Sequence, residues 1–224
     1  MGKGRPFIKY CISALVVAGV LMLLSGRPGW IRGWALVGLT FGLQVAVGVV
    51  LTRTSPELLV ERSRMQKGTK KWDKILAPVV ALGPLVVFGM AAWDVRFQWP
   101  PAVPIAWSLA ALAVCCLGGA LTAWAMAANR FFSGTVRIQS ERGHSVVDGG
   151  PYRYLRHPGY TGALAFTLAA PVALGSWRAL IPAAVVAAVL VIRTALEDRT
   201  LRIELAGYAE YAARVRKRLV PAVW

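Results

Sequence analysis

Residues 149–162 read GGPYRYLRHPGYTG, and this polar stretch organises the rest of the chain. It crowds Arg153, Arg156 and His157 beside Tyr152, Tyr154 and Tyr160, and its glycines and prolines stop any regular helix. The chain around it is 57% hydrophobic. A basic and aromatic cluster set between apolar segments points to a site for small-molecule chemistry. The plain alternative for its tyrosines is an aromatic belt at a membrane–water boundary.

Working outward, apolar runs recur at 7–24, 30–51, 75–93 and a fourth ending near 127, before the polar stretch. Two shorter ones follow it, 159–175 and 178–192, joined by Ser176 and Trp177. Most approach the roughly 20 residues that cross a bilayer, and mean hydropathy is +0.55. The expected fold is all-α: a polytopic membrane helical bundle of five or six membrane segments, the last two forming a hairpin. Its N-terminal part, 1–128, is transmembrane helices. Its C-terminal part, 129–224, holds a loop, the hairpin and a tail that together build a cofactor pocket. Pro78 and Pro84 predict kinking in the third run. Gly38, Gly42 and Gly48 suit close helix contact.

Net charge is +16, which in a soluble chain would suggest nucleic acid. Position explains it better. With the N-terminus inside, alternating loops hold three basic residues in 1–9, seven in 53–74, five in 128–158 and seven in 193–224, or 22 of the 26 Lys and Arg. Only Arg27, Arg32, Arg96 and Arg178 fall outside. This positive-inside bias predicts both termini and the polar stretch on the cytoplasmic side, and no nucleic-acid partner is needed. The N-terminus reads as an uncleaved first span. The Arg-over-Lys, Ala-rich composition hints at a bacterial cytoplasmic membrane. Cys11, Cys115 and Cys116 sit in apolar runs without ligand spacing, so they read as small buried hydrophobes, and no metal site is predicted.

The tail carries an apolar stripe at helical spacing: Leu201, Leu205, Tyr208, Ala212, Val215 and Leu219. It predicts an amphipathic helix on the membrane surface or folded over the mouth of the bundle. Arg193 and Glu197, four apart, share a helix face; an ordinary surface ion pair is the plain account of them. Glu197 and Asp198 at the end of an apolar helix put acid near a negatively polarised terminus, which calls for a cation or a hydroxyl-rich ligand. His144 and His157 flank the polar stretch. Pro158 suits a first helical turn, whose free N–H groups favour an anionic ligand group.

GGPYRYLRHPGYTG, a two-span hairpin, RTALEDRTL and GYAEYAARVRKRLVP together resemble the isoprenylcysteine carboxyl methyltransferase family and its bacterial relatives, over about 129–221. These are integral membrane enzymes that use S-adenosylmethionine. The resemblance implies that Gln139, His144, Ser145, Val146 and Val147 line the cofactor from the loop, with Tyr152, His157, Pro158, Gly159 and Tyr160 on its other side. It implies that Glu197 contacts the cofactor and that Arg193 is associated with the methyl acceptor. The family more often has Glu-Glu where this chain has Glu197-Asp198.

The chemistry agrees. A carboxylate acceptor is already ionised at neutral pH, so positioning and charge control are what methyl transfer requires. Arg193 suits an acceptor carboxylate through a fork of hydrogen bonds. The expected activity is methyl transfer from S-adenosylmethionine to a lipophilic or lipidated acceptor, carboxylate preferred, drawn sideways from the membrane lipid. Three alternatives stay open: an amine or phospholipid-headgroup acceptor, an NADPH-dependent membrane reductase with a similar C-terminal region, and a non-enzymatic scaffold. Oligomeric state stays open too.

Overall fold

The structure is a computed structural model that describes residues 5–62 and 66–219, with backbone alone for 5–11, 13 and 14. Arg64 of the basic loop, the side chain of Cys11 and the end of the tail at Pro221 lie outside the described residues. Eight α-helices are present among them: α1 (Arg5–Ser25), α2 (Ile31–Thr54), α3 (Pro56–Glu61), α4 (Asp73–Phe97), α5 (Ile105–Ala128), α6 (Pro158–Leu174), α7 (Leu180–Glu204) and α8 (Tyr208–Arg214). No strand occurs among the described residues. Helices α2, α4, α5 and α7 are long and apolar enough to cross a bilayer, and α6 is a shorter apolar helix beside them. The chain is an integral membrane protein.

The packing is that of a bundle in lipid. Small side chains fill the core, where Ala91, Ala92, Ala111, Cys115, Ala170, Ala173, Ala179 and Ala183 surround Leu36, Val87, Leu174 and Leu190. Large ones face outward: Leu15, Leu23, Leu82, Trp107, Leu117 and Ile181 are each more than half exposed. Helices in hydrocarbon gain little from burying large apolar groups, so close backbone approach decides the interface. The tightest approach joins α5 to α6. A Cβ on Gly118 would lie 2.6 Å from the Gly162 carbonyl oxygen, and one on Gly162 would collide with the Gly118 carbonyl and Thr122. The glycines expected to do this work, Gly38 and Gly42, have no atom within 4 Å of a notional Cβ; only Gly48 is buried. Cys115 is buried but Cys116 is exposed, because it sits one residue round α5 on the outer face.

Helix α4 runs unbroken through Pro78 and Pro84. Helix α7 continues beyond its apolar stretch to Glu204, so Glu197 and Asp198 lie inside the helix and not at its end. The loop after α2 is not featureless. Pro56 opens α3 at a first-turn position where its missing N–H costs nothing, and Leu58 and Leu59 bury against Leu51 and Met126. The four minority arginines' end of the bundle also has a local logic. Arg96 donates to the Leu24 carbonyl, Arg32 to that of Val103 at 3.1 Å, and Arg178 to Asp94 and the Pro100 carbonyl. Each of these bonds ties one segment of the chain to another.

The tail is not one amphipathic helix. Gly207, at φ +78°, breaks it between α7 and α8. The apolar stripe still converges: Leu205, Tyr208, Tyr211 and Ala212 pack with Leu201, Val215, Ile138 and Val146. The tail therefore folds over the loop of residues 129–157 instead of lying on the membrane surface.

Candidate active site

A cavity of about 740 Å³ opens where this loop, α4, α5, α6, α7 and α8 meet. Leu190, Arg193, Glu197 and Leu201 of α7 all line it, so it follows the helix for roughly 16 Å at 1.5 Å per residue. Its loop-side wall is polar and aromatic: Asn129, Gln139, His144, Tyr152, His157, Tyr208 and Tyr211. Its membrane-side wall is apolar: Ala77, Val80, Met126, Ala163 and Leu190, with Pro78, Ala81 and Leu82. These last three are exposed on α4, so the cavity reaches the lipid-facing surface of the bundle.

Of the residues singled out in the sequence, Gln139, His144, Ser145, Val146, Val147, Tyr152, His157, Gly159, Tyr160, Arg193 and Glu197 line this space. Pro158 does not: it is buried in the first turn of α6 and shapes the backbone. Four N–H groups around that helix start are taken by the protein itself. Those of Arg156 and His157 donate to the Lys217 and Arg218 carbonyls at 2.9 and 3.1 Å, and those of Tyr160 and Thr161 close on the His157 carbonyl. The tail thus takes the two N–H groups just before the helix.

Glu197 and Asp198 are neighbours about 100° apart around α7, and they do different things. Glu197 is half-buried on the cavity and accepts the Tyr160 hydroxyl at 2.6 Å. Asp198 is 1% exposed and receives Arg156 at 2.8 Å, Arg202 at 3.0 Å, Arg218 at 3.2 Å, the Tyr208 hydroxyl at 3.0 Å and His157 Nε2 at 3.2 Å. The cations called for by an acidic pair are the protein's own. Nε2 of His157 sits against a carboxylate oxygen, so the proton on that nitrogen donates to Asp198. Tyr211 donates to the Tyr152 carbonyl at 2.8 Å, so both tail tyrosines pin α8 onto the loop and α7. Burial pushes the Tyr208 and Tyr211 phenols up, helped by the Asp198 anion, and both stay protonated donors.

The loop is held from below. Arg137, buried, makes two bonds of 3.0 Å to Glu61 of α3 and one of 2.7 Å to Glu141; these pairings raise its pKa and lower that of Glu141. Gln139 spends its amide on the Phe131 carbonyl at 2.8 Å and on Arg142. His144 Nδ1 accepts the Gln139 N–H at 3.3 Å, and its ring lies 4.5 Å from that of Phe131. Burial, with Arg137 and Arg142 adding their positive charge, pushes this imidazole down to about 4. Burial also raises the Tyr152 phenol, which accepts from Asn129 at 3.2 Å.

Arg193 holds the main surprise. The described residues include no Arg193–Glu197 ion pair; instead Arg193 Nε and Nη2 form a fork onto Asp73, at 2.6 and 3.1 Å, and Nη2 also donates to the Gly134 carbonyl at 2.8 Å. The edge expected to hold an acceptor carboxylate is thus already taken. Asp73 escaped the sequence reading; its only signal was an acid in the first turn of α4, a position that the helix dipole already explains.

No curated protein matches the chain. The match to a family model starts earlier than the resemblance read from the motifs and ends before the tail tyrosines. Residues 110–203 match the model of the isoprenylcysteine carboxyl methyltransferase family, a stretch that takes in most of α5, the loop, α6 and nearly all of α7.

Proposed function

We propose that the protein transfers a methyl group from S-adenosylmethionine to the carboxylate of a lipophilic acceptor. One observation carries this reading: a single cavity has a carboxylate, a guanidinium and aromatic rings at one end and lipid-facing residues of α4 at the other. The family match, whose name describes carboxyl methyltransferases, supports it.

The lining fits the cofactor. About 740 Å³ lies within the roughly 300–1,000 Å³ of ligand pockets. Glu197 offers carboxylate oxygens to hydroxyl or ammonium groups, and Phe131, Val146 and Val147 offer apolar surface. Tyr152 and Tyr160 supply aromatic faces for a cation. When bound, S-adenosylmethionine supplies a methyl group on a sulfonium, so that a carbon–oxygen bond forms as the carbon–sulfur bond breaks, giving a neutral ester and the thioether S-adenosylhomocysteine with no proton transfer. What remains for the protein is to orient and to exclude water. Arg193 meets the acceptor carboxylate, Glu197 and Tyr160 hold the cofactor beside it, and α8 with the loop closes the site from above. Acceptors enter past Pro78, Ala81 and Leu82 from the bilayer. The basic residues collected at this end of the bundle argue for a cytoplasmic-facing site.

An amine acceptor is the second reading. It is favoured by Asp73, which neutralises Arg193 and leaves Glu197 as the acid able to take an amine proton.

The test is isothermal titration of the detergent-purified protein with S-adenosylhomocysteine and, separately, NADPH, followed by methyl transfer to N-acetyl-S-farnesylcysteine and to dodecylamine. Micromolar binding of S-adenosylhomocysteine with ester formation is expected. Methylation of dodecylamine alone moves the protein to the second reading. Binding of NADPH alone makes it a reductase, and binding of neither makes it a scaffold.

A further inference from the structure

We infer that Asp73, far outside the matched family region, is a positioning residue that turns Arg193 into a one-nitrogen donor for the acceptor carboxylate. This rests on the carboxylate reading above. Of the five N–H groups of Arg193, Nε and Nη2 spend three on Asp73 and the Gly134 carbonyl. Nη1 has no protein partner among the described residues. Yet no buried side-chain nitrogen or oxygen among them lacks a partner, so Nη1 is reachable from the cavity that Arg193 lines. The guanidinium carbon also sits 5.6 Å from the centre of the Tyr160 ring, whose hydroxyl holds Glu197. Its plane is therefore fixed on two sides, and two N–H groups of one nitrogen are left for a ligand.

Asp73 does more than pair a charge. Its Oδ2 also accepts the Val136 N–H at 2.6 Å, and Gly134, Thr135 and Val136 line the cavity. It is completely buried at the first residue of α4. One carboxylate thereby ties the N-terminal helices, the loop and α7 together at the point where the acceptor group must stop. A guanidinium freed from such a fork must give up many rotamers to hold a carboxylate; a clamped one is already in place, so the fork lowers the ordering cost of binding the acceptor.

The experiment uses the full chain in lipid nanodiscs, labelled S-adenosylmethionine and N-acetyl-S-farnesylcysteine as the probe. The variants are Asp73→Asn, which keeps an oxygen for Val136 but not the fork, Asp73→Glu, which keeps the charge but displaces it, and Arg193→Lys. Expected are a rise of at least tenfold in KM for the probe in Asp73→Asn and at least threefold in Asp73→Glu, with the Kd for S-adenosylhomocysteine and kcat within about threefold of wild type. In the Arg193→Lys background, Asp73→Asn should add nothing to KM. An unchanged KM in both Asp73 variants overturns the inference. So does a parallel loss of S-adenosylhomocysteine binding, which would make Asp73 a fold residue only. A wild type that binds S-adenosylhomocysteine but never esterifies the probe overturns the role of Arg193 Nη1 and this inference with it, while a wild type that does not bind S-adenosylhomocysteine overturns the underlying methyltransferase reading.

Discussion

Tyr160 donates its hydroxyl to Glu197 Oε2 at 2.6 Å, linking the first turn of α6 to the middle of α7 across the cavity. The bond sets the height of the one acid that the cavity reaches on α7 and leaves its other oxygen for a ligand. Removing the hydroxyl with Tyr160→Phe should weaken S-adenosylhomocysteine binding roughly tenfold, in line with about 1.5–3 kcal/mol for a hydrogen bond to a charged group. Glu197→Gln should cost more, roughly a hundredfold. Titration calorimetry reads both, and equal affinities in all three proteins would remove Glu197 from the site.

Asp198 should behave in the opposite way. It is enclosed by Arg156, Arg202, Arg218, His157 and Tyr208, so Asp198→Asn leaves three guanidinium groups without their shared anion. A loss of about 3–5 kcal/mol is expected, as for one partner taken from a buried ion pair. Thermal unfolding in detergent should show a large drop in Tm for Asp198→Asn and almost none for Glu197→Gln.

His144 makes stability depend on pH in a defined window. Its folded-state pKa is about 4, against about 6.5 in an unfolded chain. Between these values the unfolded chain binds more protons. The contribution of His144 is therefore fully present above about pH 6.5 and is lost as the pH falls towards 4. Tm should be lower at pH 5 than at pH 7, and His144→Asn should reduce that difference. An imidazole resonance titrating near 6.5 would contradict the assignment.

The contact between Gly118 and Gly162 predicts a sharp contrast among glycines. Gly162→Ala and Gly118→Ala force α5 and α6 apart and should each destabilise by about 1–3 kcal/mol, the usual cost of overpacking. Gly38→Ala and Gly42→Ala meet open space and should change Tm by less than a degree or two.

Most of the architecture was legible along the chain, because hydropathy and charge placement are local properties. Apolar runs became helices within a few residues of their expected ends, except that α7 runs twelve residues past its own. The polar stretch and the Arg193–Glu197 segment, far apart in sequence, reached the same cavity. Where the reading fell short, the missing information was about neighbours. Helix α7 outran its apolar stretch because Arg156, Arg202 and Arg218 solvate Asp198 inside the protein, and the tail bent at Gly207 because Tyr208 and Tyr211 had partners on α7 and the loop to reach.

What the sequence alone determined, then, is the membrane bundle, its polarity of charge and the segments that supply the site. Tertiary structure alone decided which of two adjacent acids lines the cavity, which glycines touch, and that Arg193 is claimed by Asp73 from 120 residues away. The reason is physical. A helix period tells which residues share a face, but residues one apart point about 100° from each other, and the face that becomes an interior is chosen by the surfaces packed against it. Ion-pair partners in a low-dielectric interior are likewise selected by distance in space, on which spacing along the chain is silent.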